Sequence, residues 1–347
     1  MKKYLIQPGQ ETITAVEVPE PEVGPGEVKV RLAAASLNYR DILNRKFSDK
    51  EIVPFSDGAG EVVEVGAGVA DLKVGDRVVG LFFPNWMEGE TTKEIHSVAR
   101  GGGETDGMLA EVVVGPEKSF LKYPDHLSAE EAATLPCAGL TAWHALFEHK
   151  SPVKKGDLIL LQGTGGVSIF ALQLAVAHGI KTIVTSSSDE KLERVKAMGA
   201  THTINYKTTP DWEKEVYRLT EKRGVDLVVE VGGAGTLEKS MKAVRYSGVI
   251  SLIGVLTGLK ATVNPFPIVG KSLQVYGIYV GSRAMQENFH AALAEHQIRP
   301  IVDRVFPFAE ANDIYDYQLS GAHFGNVVVK GECGEAPMKS FRGLLVE

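Results

Sequence analysis

A glycine-rich turn between a strand-like run and a helix-like run constrains the fold of this chain more than any other feature. The run DLILLQ is typical of a buried parallel strand, and VSIFALQLAVAH has helical periodicity and ends at Gly179. Between them lie the loop residues Gly163, Thr164, Gly165, Gly166 and Val167. Glycines there let the backbone approach a pyrophosphate at the helix N-terminus, where free N–H groups and the helix dipole favour an anion. The pattern predicts a dinucleotide-binding loop. The alternative is a tight strand–helix turn without a ligand, because Ser168 replaces the usual third glycine.

The segments that follow alternate between strand and helix. KTIVTS, THTINY, VDLVVE and GVISLIG read as strands, and SDEKLERVKAMG, PDWEKEVYRLTEKRG and TLEKSMKAV read as helices between them. This alternation predicts an α/β fold with a doubly wound parallel sheet, the Rossmann type. Before it, short strands and Gly/Pro turns predict a β-rich, barrel-like region. We therefore expect a β-rich domain over residues 1–125, the nucleotide-binding domain over 126–268, and a return to the first domain with a C-terminal tail over 269–347.

The strand after the glycine loop bears on the choice between NAD and NADP. An NAD site shows an acidic residue about 20 residues further on, which binds the ribose 2′-OH. Here the strand ends in Ser186, Ser187 and Ser188, with Lys191 nearby and Tyr206 after the next strand. Hydroxyls and a cation suit a 2′-phosphate, so the sequence favours NADP(H). The alternative is that Ser187 and Glu190 form only a capping box for the next helix.

Composition excludes several classes of function. The net charge of −7, from 37 basic and 44 acidic residues, argues against nucleic acid as a partner. The chain has no run of about 18 apolar residues that would cross a membrane and no secretory signal at its start. The two cysteines, Cys137 and Cys333, are too few for a disulfide framework. We expect a cytoplasmic protein.

Several motifs, taken together and in order, resemble one family. They are SLNYRDIL from residue 36, SDGAGEVVEVG from 56, GDRVVG from 75, TLPCAGLTAW from 134, QGTGGVS from 162, INY from 204 and HFGNVVV from 323. The chain resembles the medium-chain dehydrogenase/reductase superfamily, in particular its zinc-free quinone oxidoreductase-like branch. The resemblance implies a GroES-like catalytic domain beside a Rossmann domain, with the active site in the cleft between them. It also implies that Lys191 and Tyr206 hold the NADPH 2′-phosphate.

The resemblance also shows what this chain lacks. Zinc-dependent members bind the catalytic metal through a Cys, a His–Glu pair and a second Cys, and the matching positions hold Asn38, Ser56–Asp57 and Cys137. Zinc needs about three basic protein ligands, so we expect no metal here. The four-cysteine lobe of the family would lie within residues 84–106, which contain no cysteine. A loop of that length is usually functional or mobile. Cys137 is then a buried thiol that packs as a small apolar group.

Candidate catalytic residues come from the SLNYRD motif. Asn38 is a candidate contact of the cofactor or the substrate oxygen, and Tyr39 and Asp41 are candidates for a proton relay. The alternatives are that Asp41 caps the following helix and that Tyr39 belongs to the core. Further cofactor contacts come from the resemblance and from the carboxyl edge of the sheet, where open α/β sheets bind ligands. They are Thr141, Gly232, Gly254, Val255, Phe324 and Asn326.

These residues predict a zinc-independent oxidoreductase that transfers hydride from NADPH to a small-molecule quinone or α,β-unsaturated carbonyl. Such acceptors need no Lewis acid to stabilise an alkoxide, because the charge spreads onto a conjugated oxygen. Two alternatives stay open: an alcohol or aldehyde dehydrogenase, and an NADPH-binding protein without turnover. The segment QVYGIYVG resembles the strand that pairs edge to edge between Rossmann domains, so we expect a homodimer.

Overall fold

The computed structural model of the protein describes residues 1–260 and 262–332. Cys333 and the rest of the predicted C-terminal tail lie outside these residues. None of the helices in the described ranges is long and apolar enough to cross a membrane.

A parallel sheet forms the centre of the nucleotide-binding domain. Within residues 1–260 and 262–332 it has six strands in the order β10-β9-β8-β11-β12-β13, the arrangement of a Rossmann fold. They are β8 (Leu158–Gln162), β9 (Lys181–Ser186), β10 (His202–Asn205), β11 (Val225–Glu230), β12 (Val244–Leu252) and β13 (Gln274–Gly277). This confirms the predicted fold class.

Helices cover both faces of this sheet. They are α4 (Leu140–Phe147), α5 (Gly166–Ala177), α6 (Asp189–Ala197), α7 (Trp212–Leu219), α8 (Leu237–Ala243), α9 (Phe266–Gly270) and α10 (Arg283–His296). Strand β8 shows why its sequence is continuously apolar: Ile159 and Leu161 pack into one core cluster and Leu160 into another on the opposite face.

A mixed sheet forms the second domain. In the described ranges the strand order of this sheet is β14-β15-β3-β4-β5-β7, and β6 also pairs with β3. The strands are β3 (Glu27–Leu37), β4 (Asp57–Val65), β5 (Arg77–Gly80), β6 (Val112–Pro116), β7 (Phe120–Lys122), β14 (Val302–Pro307) and β15 (Asn326–Lys330). The first two strands, β1 (Lys2–Leu5) and β2 (Thr14–Glu17), form a separate antiparallel pair. Strands β14 and β15 show that the chain returns to this domain after the nucleotide-binding sheet.

The helices of the second domain and of the junction are short. They are α1 (Tyr39–Phe47), α2 (Lys93–Ser97), α3 (Ala129–Ala132) and α11 (Asp313–Leu319), with a π-helical turn over Leu135–Gly139 and 3-10 turns over Glu117–Ser119 and Phe308–Glu310. Helix α2 lies within residues 84–106, which the sequence predicts as an irregular loop. This loop is anchored, because Trp86 and Ala99 are buried in a cluster with Phe82 and Phe83.

The nucleotide-binding domain continues past its predicted end at residue 268. Strand β13 is parallel to β12 in the same sheet, with Val249 paired to Gln274. Helix α10 also packs against α4 of this domain. The predicted boundary is too early because β13 is short and follows a stretch without periodicity.

Candidate active site

A cavity of about 740 Å³ lies in the cleft between the two domains. The nucleotide-binding domain contributes the glycine loop and the carboxyl ends of its strands, and the other domain contributes the end of β3 and the start of α1. The site is therefore at the carboxyl edge of the parallel sheet, where α/β folds of this type bind ligands.

The glycine loop lines the middle of this cavity, and residues 163–167 all contribute to it. Gly163 has φ +75°, a conformation that favours glycine, and its N–H donates to Thr185 O at 2.8 Å. Gly166 is required for packing, because a Cβ there would overlap Asn326 Oδ1 and approach Ala138 Cβ to 3.1 Å. Ser168 stands where a third glycine is usual, and its hydroxyl donates to Gln162 O at 2.6 Å.

One end of the cavity is lined by Ser186, Ser187, Lys191 and Tyr206. Ser188, predicted as a cofactor contact, does not line it. Its hydroxyl accepts from the Lys191 N–H at 3.3 Å and caps α6. The capping residue is thus Ser188 and not Ser187, which leaves the Ser187 side chain on the cavity wall.

Lys191 connects this end to the segment that returns to the second domain. Its ammonium donates to Gly321 O at 2.6 Å and to His323 O at 2.8 Å. An ammonium has three protons, so one donor is left for a ligand. Burial lowers the pKa of Lys191, with the nearby Arg194 charge acting in the same direction.

The returning segment lies along the glycine loop. Gly325 N–H donates to Thr164 O at 2.9 Å, and both Asn326 and His323 line the cavity. The predicted contact Phe324 does not: it is 1% exposed, and the Arg194 guanidinium lies 3.8 Å from its ring centroid. Side chains alternate along extended backbone, so His323, which sequence reasoning missed, occupies the cavity position instead.

The opposite wall is formed by residues that follow β11 and β12. The predicted cofactor contacts Gly254 and Val255 line the cavity, whereas Gly232 does not, and Val231 lies there instead. The Gly232 N–H is turned away and donates to Glu230 Oε1 at 2.9 Å. A buried carboxylate thus holds this turn in place.

The other end of the cavity is built where β3 and β4 run side by side. Ser36 pairs with Asp57 in the sheet, and α1 begins directly after Asn38. Asn38 and Tyr39 line the cavity, and the Asn38 Nδ2 atom is buried without a hydrogen-bond partner in residues 1–260 and 262–332. Tyr39 also packs against the core of its own domain.

Asp41, predicted as a relay residue, does not line the cavity. It is fully buried and accepts from the Asn38 N–H at 2.8 Å, so it caps α1. Burial raises the pKa of Asp41 to about 6, and the neighbouring Arg40 charge limits the increase. The structure therefore supports the capping alternative.

Thr141 and Cys137 complete this end, and both line the cavity. Asp57 lies behind them, fully buried, where it accepts from Ser56 Oγ at 2.6 Å and from the Cys137 N–H at 3.0 Å. Burial raises the pKa of Asp57 to about 7 and that of the Cys137 thiol well above its usual value.

This donor set does not fit a zinc ion. The described residues contain no group of three His, Cys, Asp or Glu side chains arranged to hold a metal. The positions of the family's ligands hold the Asn38 amide, the Ser56 hydroxyl, the Asp57 carboxyl and the Cys137 thiol. The Ser56 hydroxyl is hydrogen-bonded to Asp57, and the Asp57 carboxyl is also hydrogen-bonded to the backbone N–H of Cys137. Zinc sites use three or four basic ligands, and these groups do not supply them.

Sequence reasoning missed Arg40 and Tyr279, which line the cavity next to Asn38. Arg40 lies within the SLNYRD motif, between the predicted site residues Tyr39 and Asp41. Tyr279 is part of QVYGIYVG, which resembles an edge strand between Rossmann domains. The signal available for Tyr279 was its position after a parallel strand, at the ligand-binding edge.

Comparisons with known proteins identify the class. Residues 24–125 match the family model of the alcohol dehydrogenase GroES-like domain, and residues 166–296 match that of the zinc-binding dehydrogenase. A zinc-type alcohol dehydrogenase-like protein of Schizosaccharomyces pombe is 45% identical over 325 residues, which cover 90% of this chain and 93% of that protein. A quinone oxidoreductase-like protein 2 of Bos taurus is 29% identical, covering 90% and 87%.

A solved structure agrees with these matches. The crystal structure of an NAD-dependent alcohol dehydrogenase has a TM-score of 0.85 at 33% identity and covers 95% of this chain and 99% of its own. The two domains and the cleft define a GroES-like and Rossmann oxidoreductase fold. The chain belongs to the medium-chain dehydrogenase/reductase superfamily, which confirms the resemblance inferred from its motifs.

Proposed function

We propose that this protein is an NADPH-dependent reductase of quinones or α,β-unsaturated carbonyl compounds that works without zinc. The observation that carries the proposal is the donor set at the family's metal position. Asn38, Ser56 and Asp57 replace the zinc ligands of the family, and the Asp57 carboxyl is hydrogen-bonded to Ser56 and to the backbone N–H of Cys137. Without a Lewis acid, acceptors that delocalise charge onto their own oxygen are the suitable substrates.

The cavity fits a nicotinamide dinucleotide. The glycine loop would hold the pyrophosphate at the N-terminus of α5, and Thr141 and Asn326 would border the nicotinamide end. The end lined by Ser186, Ser187, Lys191 and Tyr206 would hold the adenosine ribose. No carboxylate stands at the tip of β9 to repel a 2′-phosphate, and this favours NADPH over NADH.

Bound NADPH supplies a hydride, and the protein's own residues bind and orient the acceptor. Asn38 lines the cavity, and its Nδ2 atom is buried beside the Asp57 carboxyl. We propose that the Asn38 carboxamide binds an acceptor oxygen or the cofactor. A donor that is fixed before the reaction stabilises the developing enolate without reorganisation.

Elemental analysis and turnover of purified protein test the proposal. We expect less than about 0.1 zinc per chain, and NADPH oxidation with 1,4-benzoquinone, 9,10-phenanthrenequinone or small enones. Zinc at one per chain, with alcohol-dependent reduction of NADP⁺, would support the alcohol dehydrogenase alternative, which the names of several relatives favour. Tight NADPH binding without turnover on any acceptor would indicate the non-catalytic alternative.

The assembly is proposed to be a homodimer. In the described part of the chain, β13 ends the nucleotide-binding sheet and pairs only with β12, so its other edge is open to a second copy. Sedimentation equilibrium at micromolar concentration should give twice the 37.4 kDa mass of one chain. The cytoplasmic location stays a prediction.

A further inference from the structure

Tyr279, which lines the cavity, belongs to an aromatic cluster. Tyr279, two residues after β13, packs edge-on against Phe82 and Phe83, with ring centroids 5.6 and 5.5 Å apart. The ring of His96, from residues 84–106, lies 5.1 Å from that of Tyr279. These contacts fix the Tyr279 ring, and its 44% exposure leaves the side chain open to the cleft and to solvent.

Arg40 reaches the same aromatic cluster from α1. Its guanidinium carbon lies 4.8 Å from the Phe82 ring centroid, and Nη1 donates to Arg100 O at 2.6 Å. Its side chain is 14% exposed, and Asp41 Oδ1 is 3.4 Å from Nη1. Phe82 is thus in contact with both the cation and the Tyr279 ring. Arg40 is held in one position by these contacts.

The electrostatic relation of the two residues follows from this placement. Burial raises the pKa of the Tyr279 phenol, and the positive charge of Arg40 opposes that increase. The phenol is therefore a neutral O–H group at physiological pH, beside a cation that stabilises its conjugate base.

The other proton donors of the cleft are less suitable. Tyr39 packs against the core of its own domain, and Asp41 lies outside the cavity in its capping role. The Cys137 thiol has no base beside it except the buried Asp57, which already accepts from the Cys137 backbone. Tyr279 combines exposure to the cleft, a fixed ring and a neighbouring cation.

We propose that Tyr279 is the proton donor of enone reduction and that Arg40 is a positioning residue that stabilises the tyrosinate. This inference rests on the proposed function. When hydride adds to the β-carbon of an enone, the electron pair of the C=C bond moves toward the carbonyl and an enolate forms. The Tyr279 O–H bond breaks, its proton forms the new C–H bond at the α-carbon, and its electron pair stays on the phenolate oxygen. Solvent then returns the proton to Tyr279.

This step balances without a further reactant. The enone gains two electrons and two hydrogens, one as the hydride that bound NADPH would supply and one as the proton from Tyr279. A quinone behaves differently, because hydride transfer gives a hydroquinone anion, a much weaker base than an enolate. Quinone turnover therefore depends less on an acid in the protein, and this difference identifies the donor.

The test compares kcat and KM of Tyr279→Phe with the parent protein on 2-cyclohexenone and on 1,4-benzoquinone. Phenylalanine keeps the ring packing, so only the hydroxyl is lost. We expect kcat on the enone to fall about 100-fold, the usual contribution of a positioned acid, and kcat on the quinone to fall less than about threefold. The NADPH Kd should change less than about twofold. Tyr246→Phe, at a tyrosine that is 68% exposed, is the matched control.

Arg40 is tested through the pH dependence of kcat on the enone. Loss of its charge in Arg40→Met should raise the tyrosine pKa and move the alkaline limb of the profile to higher pH, and Arg40→Lys should restore it in part. The other titratable or charged groups that face Tyr279 are His96, Asp41 and Cys137, and these are unchanged in the variants.

The outcomes separate the two proposals. An enone kcat that falls in Tyr39→Phe and not in Tyr279→Phe overturns the assignment of the donor while leaving the proposed function intact. Equal losses on enone and quinone overturn it also, since they indicate a packing effect. A parent protein that reduces neither acceptor refutes the proposed function and with it this inference.

Discussion

Replacing Lys191 with alanine tests the proposed NADPH pocket most directly. A charge-assisted hydrogen bond contributes about 1.5–3 kcal/mol, and Lys191 is only partly buried, so we take the lower value. About 1.5 kcal/mol corresponds to a roughly tenfold rise in the Kd of NADPH. NADH has no 2′-phosphate, so a hydrogen bond from Lys191 to that phosphate does not contribute to its affinity. Isothermal titration of both cofactors gives the two dissociation constants.

The ratio of the two constants separates two roles of this lysine. Lys191 also donates to Gly321 O and His323 O, and loss of these hydrogen bonds would loosen a segment that lines the cavity. That effect weakens NADH and NADPH alike and cancels in the ratio. The ratio Kd(NADH)/Kd(NADPH) should therefore fall about tenfold in Lys191→Ala.

Two variants complete this experiment. Lys196→Ala, on the same helix, removes a lysine whose ammonium pairs with Glu193 at 2.6 Å, so it should leave both constants unchanged. Lys191→Arg keeps the charge and should keep most of the preference. An unchanged ratio in Lys191→Ala would refute the assignment of this end of the cavity to the 2′-phosphate.

Three further predictions concern other parts of the site. Ser187→Asp places a carboxylate at the tip of β9 and should weaken NADPH at least about tenfold relative to NADH, measured by the same titration. Gly166→Ala should lower the melting temperature and abolish cofactor binding, because its Cβ overlaps Asn326 Oδ1. The control Gly165→Ala should have the melting temperature of the parent protein, because its Cβ meets only His323 Nε2 at 3.7 Å. The pKa of Asp57 rises from about 3.9 in the unfolded chain to about 7 in the folded protein. The folded state therefore binds more protons between these pH values. The free energy of unfolding falls as pH rises through this range, by at most about 1.4 kcal/mol per pH unit. Urea unfolding at pH 5, 6 and 7 should give a shallower decline for Asp57→Asn, and an equal decline would contradict the burial of this charge.

The nucleotide-binding half of the molecule could be predicted from the sequence because its signals are local. A strand, a glycine loop and a helix follow one another within about 20 residues, and both the apolar run of β8 and the turn at Gly163 are required by backbone chemistry. The long sheet that follows repeats the same pattern. The fold class and the loop residues are therefore contained in short stretches of sequence.

Assignments that depend on a one-residue register are not determined by local sequence. Ser188, predicted as a cofactor contact, caps α6, and Val231 lines the cavity where Gly232 was expected. Neighbouring residues on an extended chain point to opposite sides, so a shift of one position reverses a prediction. The direction is fixed by contacts from elsewhere, such as the Glu230 carboxylate that binds the Gly232 N–H.

The end of the cleft around Asn38 and Tyr279 is formed by segments that are far apart in the chain. Asn38 and Arg40 come from the start of α1, Cys137 from the π-helical turn, and Tyr279 from the residues after β13. Phe82, from the residues after β5, packs against Arg40 and Tyr279. No local pattern joins Arg40 to Tyr279, because 239 positions separate them and their shared partner is a third segment. A family resemblance transfers a motif position by position and so directs attention to the residues that the motif names. Where the metal ligands of the family are replaced, the groups that take over the chemistry need not lie at the replaced positions, and the packing of the cleft is what brings them together.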